Sequence, residues 1–391
     1  MRAWRAGVGM LLAVAVLAVA PTVATADGRT EWRREPGGRP SAVTVDATGS
    51  IYVTGSIWAP SDPGRSGVTA MVVAKYGPAG GLRWRRTWRP YLPEWHADGI
   101  SIAPAPGGGV YVGGSVSWFE DVQPLLARYS ASGRLLWHRT WPAWLQWGWV
   151  SSLAADERGA VAAIAMGGCC DEVRHDGRLQ AFDPDGLPVW RTDFEVPGIT
   201  HTWDSVGGVA IGADGRIYAA GHVDRAFFDS PDDPRVDEDL VVQQLSRGGD
   251  VRWTSVLGDG PVKDRESATD IAVRNGLVIV TASVDDETKA WVGALTTGGD
   301  LRWTRRWGER YRTMAVALTI APWGPVYVAM EHTTFGASGS MRTRSMLRRY
   351  TRTGVLVGSR LLPEGERIGE VVADPRALYL TIGRTLQRWT R

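Results

Sequence analysis

The chain has 391 residues, including 48 Gly, 22 Pro and an unusual 20 Trp, and 44% of its residues are hydrophobic. This composition excludes a disordered chain and a coiled coil, and it favours a turn-rich all-β architecture. The 44 basic residues, nearly all arginine, balance 42 acidic ones and form no long basic run, which excludes the charge pattern of a nucleic-acid binder.

The first segment has the pattern of a secretory signal peptide. Arg2 and Arg5 precede an apolar run, which is followed by the small-residue sequence ATA ending at Ala26. We therefore predict a signal peptide over residues 1–26 and one mature domain over residues 27–391. The apolar run is too short for a convincing membrane span. We expect an exported, soluble protein, extracellular or in the cell-envelope space, that is monomeric and not inserted in a membrane.

The remainder of the chain repeats one unit. A segment ending in a Trp strand returns as GGLRWRRTW, GRLLWHRTW, DGLPVWRTDF, GGDVRWTSVLG, GGDLRWTRRWG and, degenerate, TGVLVGSRLL. Its anchoring residues lie 50 to 63 residues apart, and they are Trp84, Trp137, Trp190, Trp253, Trp303 and Val357. A second anchor recurs out of phase as GSIYVTG, GGVYVGG, GAVAAIA, GRIYAAG, GLVIVTA, GPVYVAM and ALYLTIG. With two further apolar segments, each repeat is predicted to contain four strands, A to D, with tight turns at A–B and C–D.

Seven repeats of about 50 residues with four strands each predict a seven-bladed β-propeller of antiparallel blades. The last repeat is one strand short, because only TLQRWTR follows ALYLTIG. The missing strand is at the other end of the chain, where RTEWRRE contains Trp32. We therefore expect the N-terminal strand to complete the last blade and close the ring, which removes open sheet edges.

These motifs resemble the seven-bladed β-propeller repeat family of secreted proteins. The nearest matches are VTVDATGSIYVTG, starting at Val43, and AKYGPAGGLRW, ending at Trp84. The Gly-x-Leu-x-Trp corner is also similar to pyrroloquinoline-quinone-type β-propeller repeats. The resemblance implies the fold and leaves function open, because propellers include binders, scaffolds and unrelated enzymes.

The Trp residues fall into two groups. The periodic ones on strand D are expected to pack between blades, with the indole N–H bonded to a backbone carbonyl. The others cluster in D–A and B–C connections, which share one face of a propeller (the top face). We predict a ligand site near the top of blades 2 to 4, made by Trp95, His96, Asp98, Trp144, Trp147, Trp149, His201, Trp203 and Asp204. The alternative is that these loops use Trp to form small cores of their own.

Cys169 and Cys170 are adjacent and are the only cysteines. In an exported protein they could form a vicinal disulfide, which would be strained and would close almost no loop. Adjacent-Cys rings in quinoprotein alcohol dehydrogenases are similar, but those propellers have eight blades and no clear calcium-ligand set is found in this sequence. We expect no cofactor.

Other candidate sites are weaker. The acidic stretch from Asp229 to Asp239 could offer oxygen ligands to calcium but matches no calcium loop, and the six histidines lack zinc-site spacing, so no metal is expected. Carboxylates suited to acid–base chemistry are Asp98, Asp204, Glu266 and Asp270. The sequence thus predicts an exported, non-catalytic propeller that binds a carbohydrate or other flat ligand, or a protein partner, on a Trp-rich face. The alternatives are a carbohydrate-active hydrolase or lyase with carboxylates at the central pocket, and a scaffold for protein partners.

Overall fold

The repeated segments fold as seven antiparallel sheets of four strands each. The computed structural model describes residues 28–59, 67–91, 94–119, 121–141, 146–168, 177–197, 204–226, 236–257, 265–285, 288–308, 312–335 and 340–391. Each sheet is one propeller blade, so the predicted all-β, seven-bladed fold is confirmed. No helix able to cross a membrane occurs in these ranges.

The strands follow one another in chain order. The first, β1, is Thr30–Arg34. Blade 1 contains β2 (Arg39–Val45), β3 (Ile51–Ala59), β4 (Val68–Tyr76) and β5 (Leu82–Trp88). Blade 2 contains β6 (His96–Pro104), β7 (Val110–Trp118), β8 (Asp121–Tyr129) and β9 (Leu135–Thr140). Blade 3 contains β10 (Gln146–Asp156), β11 (Gly159–Gly168), β12 (Gly177–Phe182) and β13 (Pro188–Asp193).

The second half of the ring repeats this arrangement. Blade 4 contains β14 (Ser205–Ile211), β15 (Ile217–Ala226), β16 (Val236–Leu245) and β17 (Val251–Val256). Blade 5 contains β18 (Ser267–Arg274), β19 (Leu277–Val284), β20 (Lys289–Thr296) and β21 (Leu301–Trp307). Blade 6 contains β22 (Thr313–Ile320), β23 (Val326–Phe335), β24 (Met341–Tyr350) and β25 (Leu356–Leu361). Blade 7 contains β26 (Ile368–Ala373), β27 (Leu378–Ile382), β28 (Thr385–Trp389) and β1.

The ring closes through the two ends of the chain. Strand β1 pairs antiparallel with β28, with Trp32 opposite Arg388 and Arg33 opposite Gln387. An ion pair between Glu31 and Arg388 joins the same two strands. The first strand of every blade contacts the first strand of the next, and β26 contacts β2, so these seven strands form the inner ring around the axis.

Every inner strand has a β-bulge at the equivalent position of its pairing with the second strand of the blade. The pairing between the first and second strands skips one residue in each blade, and the skipped residues are Ser41, Ile100, Ser151, Gly207, Thr269, Val316 and Gly369. A bulge bends its strand and redirects the side chains beside it. The sevenfold bulge therefore decides which side chains approach the axis.

The hydrophobic core lies between adjacent blades. One cluster joins Tyr52 and Trp84 of blade 1 to Leu125 and Tyr129 of blade 2, and similar clusters follow around the ring. The predicted packing of the periodic Trp residues is confirmed, because five indole N–H groups donate to carbonyls in the C–D turn of the next blade. These bonds of 2.9–3.1 Å join Trp84 to Ala131, Trp137 to Pro184, Trp190 to Arg247, Trp253 to Thr297 and Trp303 to Arg352.

Candidate functional site

A groove of about 550 Å³ opens at the top face between blades 1 and 2. Its walls carry four rings, those of Trp88, Tyr91, Trp95 and His138, together with the polar side chains of Arg89, Gln123 and Thr140. Aromatic walls with a few polar groups are the usual composition of a small-ligand site.

Trp88 forms the floor of this groove because of its position on strand D. It ends β5 four residues after Trp84, and its counterparts Trp141 and Trp307 pack on core rings of the next blade, Phe182 and Tyr350. Trp88 also packs against the core of blades 1 and 2, and its ring meets that of His138, which is 5.0 Å away at 54° and lies at the surface. Trp88 therefore connects the core of these two blades to the groove.

The upper wall extends into an exposed aromatic surface. Tyr91 is 100% exposed, while Trp95 is half-buried and stacks on Trp118 with ring centroids 6.4 Å apart and planes at 17°. Trp118 in turn meets the edge of Phe119, which is 90% exposed at the tip of the β7–β8 hairpin. Phe119 has φ of +53°, a left-handed conformation that is costly for a bulky side chain. Strain of this kind is concentrated at functional sites.

Beyond Trp88, the gap between the blades continues toward the opposite face as a second groove of about 500 Å³. Its walls include Arg86 and Thr87 of β5 and Ser132, Arg134 and Leu135 of blade 2. Trp88 lines both grooves, so they share one wall. Together they follow the outer strands of two neighbouring blades.

His96 and Asp98 lie on β6 rather than in a loop, because this inner strand starts earlier than the sequence pattern GISIA indicates. Both side chains bond to blade 1. The Thr69 N–H donates to His96 Nδ1 at 3.1 Å, and the Ser56 hydroxyl donates to Asp98 Oδ1. These two predicted site residues therefore join neighbouring blades near the top face.

Two of the predicted site residues of blade 3 stack on each other. Trp147 and Trp149 also lie on a strand, β10, and their rings stack 5.6 Å apart at 24°. Among the described ring contacts, none connects this pair to the pair of Trp95 and Trp118. Asp204 immediately precedes β14 and is buried.

Several predicted positions fall outside the described residues. They are Trp144, His201, Trp203, Cys169, Cys170 and the stretch from Asp229 to Arg235. The vicinal disulfide therefore stays a prediction, and the expectation that the acidic stretch binds no calcium is not tested by the structure. In the part of the chain that the structure describes, no cluster of three His, Cys, Asp or Glu is positioned to hold a metal ion.

Two carboxylates occupy the inner ring beside its bulges. Asp270 follows the bulge of β18, and its Oδ2 accepts the Leu318 N–H of blade 6 at 2.7 Å, while Oδ1 accepts the Ile271 N–H at 2.8 Å. Glu370 follows the bulge of β26 and accepts the Val371 N–H at 2.9 Å. Asp270 therefore connects blades 5 and 6, in the same way that the Ser152 hydroxyl accepts the Val209 N–H between blades 3 and 4.

Burial perturbs the titration of these groups. Desolvation raises the pKa of Asp270 to about 7, although its two backbone donors act in the opposite direction. Desolvation also raises the pKa of Glu370 well above its usual value, and the negative charge of Asp270 raises it further.

In the groove between blades 1 and 2, desolvation lowers the pKa of His138 below 6.5, and the positive charge of Arg139 lowers it more. This imidazole is therefore mainly neutral at pH 7.

Of the other carboxylates chosen from the sequence, Asp98 holds the Ser56 hydroxyl and Glu266 is only 2% exposed. Of the two carboxylates that follow bulges of the inner ring, Asp270 was identified from the sequence and Glu370 was missed. Nothing in the sequence distinguishes Glu370 from other acidic residues until its bulge places it on the axis. Trp88 was also counted only as a repeat residue, although its position four residues after Trp84 marks a second periodic aromatic site.

Comparison with known proteins supports the fold alone. No family model matches the sequence, and no curated protein matches it. Among solved structures, a catalytically inactive variant of virginiamycin B lyase from Staphylococcus aureus with quinupristin is 11% identical, with 92% of this chain and 99% of that chain covered at a TM-score of 0.52.

Two other propellers are similar at lower scores. BBS1N in complex with ARL6DN is 13% identical, with 94% and 97% coverage and a TM-score of 0.45. A periplasmic gluconolactonase of Pseudomonas aeruginosa is 14% identical, with 80% and 99% coverage and a TM-score of 0.36. Similarity at this level of identity shows the fold alone, so function must be argued from the site.

Proposed function

We propose that this protein is an exported ligand-binding propeller whose site is the aromatic groove between blades 1 and 2. The observation that carries the proposal is the convergence of Trp88, Tyr91, Trp95 and His138 on one concave space of about 550 Å³. Exposed rings contribute to binding by covering the flat apolar faces of a ligand. The signal-peptide pattern of residues 1–26 supports export.

A carbohydrate is the ligand class that fits these walls best. Sugar rings present C–H faces that stack on indole and phenol rings, while Gln123, Thr140 and Arg89 offer directional bonds to hydroxyl groups. The full exposure of Tyr91 gives the site a ring that contributes nothing to the core. Exposed aromatic side chains of this kind are common among the residues that contact a ligand.

The proposal is tested by screening the mature protein on a glycan array and titrating each hit by intrinsic tryptophan fluorescence. We expect Tyr91→Ala and Trp95→Ala each to weaken binding by about tenfold or more, which corresponds to the loss of one well-packed aromatic contact. Phe335→Ala is the matched control, because this residue is also exposed and aromatic but lies on blade 6.

The variant Tyr91→Ala should melt like the wild type, since its side chain is fully exposed. An array without signal above background would refute the carbohydrate ligand. Glycan binding that survives both groove substitutions would place the site elsewhere. Binding of a protein rather than a glycan, abolished by the same substitutions, would assign the groove to a protein partner.

A hydrolase or lyase is the second candidate, and one observation favours it. Asp270, in the inner ring, has a pKa raised to about 7, which suits a general acid or base near neutral pH. Among the described inner strands, one other carboxylate directly follows a bulge, that of Glu370. A carbohydrate-active centre would be expected to have several. Incubating each bound glycan with the protein and analysing products by mass spectrometry separates the two functions, because a binder leaves the glycan intact.

A further inference from the structure

The two grooves between blades 1 and 2 differ from an ordinary sugar site in their charge. Three arginines line them, Arg86, Arg89 and Arg134, and no Asp or Glu is among their described lining residues. The chain as a whole carries nearly equal numbers of both charges. The positive charge of the lining is therefore a local feature of these grooves. Clefts lined by charge of one sign concentrate ligands of the opposite charge.

Arg86 is held in place before any ligand binds. Its Nε donates to the Gly133 carbonyl at 3.0 Å and its Nη1 to the Arg85 carbonyl at 3.0 Å, while the guanidinium lies 5.9 Å from the Trp84 ring centroid. These contacts use two of its five N–H donors. No ion pair to Arg86 occurs among the described residues, so its charge is not neutralised there.

Arg89 and Arg134 flank this fixed guanidinium along the blade interface. Arg89 follows Trp88 at the top of the first groove, and Arg134 lies at the C–D turn of blade 2 beside the second groove. Both residues are exposed, and no described carboxylate pairs with them. Guanidinium groups bind carboxylate and sulfate oxygens in a bidentate, directional manner.

We propose that the two grooves form one continuous site for an anionic polysaccharide, whose carboxylate or sulfate groups bind Arg86, Arg89 and Arg134 while its sugar rings stack on the aromatic walls. This inference rests on the proposed function of the groove and extends it to a ligand class. Trp88 provides the continuity because it lines both grooves. Thr87, Ser132 and Gln123 supply hydroxyl and amide groups along the same path.

The test uses the mature protein and size-defined oligosaccharides of three kinds: uronic-acid chains, sulfated glycosaminoglycan chains and neutral glucans of equal length. We expect the anionic chains to bind at least about tenfold more tightly than the neutral ones, in a salt-dependent manner. Poly-glutamate of similar length is included, and it should bind more weakly because it offers no sugar faces to the rings.

The key variant is Arg89→Gln combined with Arg134→Gln, since neither side chain holds the C–D turn as Arg86 does. We expect it to lose about tenfold in affinity for the anionic chains and part of the salt dependence. Its control, Arg274→Gln with Arg302→Gln, removes the same charge from exposed positions on blade 5 and should stay within about twofold of the wild type.

The outcomes separate this inference from the proposed function. Neutral glycans that bind as tightly, with dependence on Tyr91 and Trp95 but not on the two arginines, would overturn the anionic ligand and leave the groove function standing. Equal losses in the key variant and its charge-matched control would also overturn it. Poly-glutamate binding more tightly than every glycan would assign the groove to acidic peptides. Absence of binding by all these probes would refute the anionic ligand, while the glycan array decides the proposed function of the groove.

Discussion

The indole N–H of Trp137 donates a 2.9 Å hydrogen bond to the carbonyl oxygen of Pro184 in the next blade. Two residues further on, Arg139 Nε donates to the Gly186 carbonyl of the same turn at 3.2 Å. Equivalent pairs of donors recur between other blades, with Thr192 or Ser255 in place of the arginine. The five interfaces from blades 1–2 to blades 5–6 are therefore each held by one indole ring and two polar bonds at one turn.

Replacing this ring should destabilise the whole propeller. We expect Trp137→Ala to lower the free energy of unfolding by about 3–5 kcal/mol, because it removes buried aromatic area and leaves a cavity between blades 2 and 3. Trp137→Phe keeps one six-membered ring but loses the rest of the indole together with its N–H, so its cost should be smaller, about 1–3 kcal/mol. Equilibrium denaturation measures both, and a Trp137→Ala protein that unfolds like the wild type would show that the contact is not structural.

The turn glycine opposite this Trp is required for two reasons that can be separated. Gly186 has φ of +78°, and a Cβ placed there would lie 2.8 Å from the Trp137 ring. Gly215 has φ of +75° but nothing within 4 Å of its Cβ position. We expect Gly215→Ala to cost about 1–2 kcal/mol for the left-handed backbone alone. Gly186→Ala should cost clearly more, and equal costs in thermal or chemical unfolding would mean that the ring moves away freely.

The axial carboxyls predict an unusual dependence of stability on pH. The pKa of Asp270 is raised to about 7 and that of Glu370 is raised as well, so the folded protein keeps protons that the unfolded chain releases. Stability should therefore fall as pH rises from about 4 through 7. Glu370→Gln keeps an oxygen for the Val371 N–H and removes the cost of protonating this carboxylate on folding, so we expect it to be more stable than the wild type at neutral pH.

The control for this prediction is Glu157→Gln, an exposed position in the β10–β11 turn. Its stability curve should run parallel to that of the wild type between pH 4 and about 8. The Glu370→Gln advantage should disappear toward pH 4, where the wild-type carboxyl is protonated. A wild-type curve that rises with pH over this window would contradict the raised pKa values of the pair.

Ring closure by β1 can be tested by removing it. A protein that starts at Glu35 lacks the strand that pairs with β28, and it exposes an unpaired edge on blade 7. We expect a lower melting temperature and association through the free edge. Adding a synthetic peptide of residues 28–35 should restore the melting temperature and the monomer, as measured by differential scanning calorimetry and light scattering. A shortened protein that stays monomeric with an unchanged melting temperature would show that closure contributes little.

Much of the fold could be predicted because its signals are local. The Gly turns, the strand alternation and the Trp slot repeat in each blade, and Trp32 marks the strand that closes the ring. The predicted site was placed less well. Asp98 and Trp149 were assigned to loops, whereas the first strands of blades 2 and 3 extend to include them. Strand ends depend on pairing with a partner, which local sequence does not specify.

Sequence alone determined the architecture, since a repeated four-strand unit can bury its faces only by stacking around an axis. It also separated the structural Trp residues from the others. Only the tertiary structure decided which aromatic side chains meet at the surface, and it placed one repeat residue, Trp88, among them. Trp88, Tyr91 and His138 form a groove because two blades bring their outer strands together there. Asp270 and Glu370, 100 residues apart, interact because two bulges direct them to one axis. Contacts between blades depend on packing geometry, which no single repeat contains.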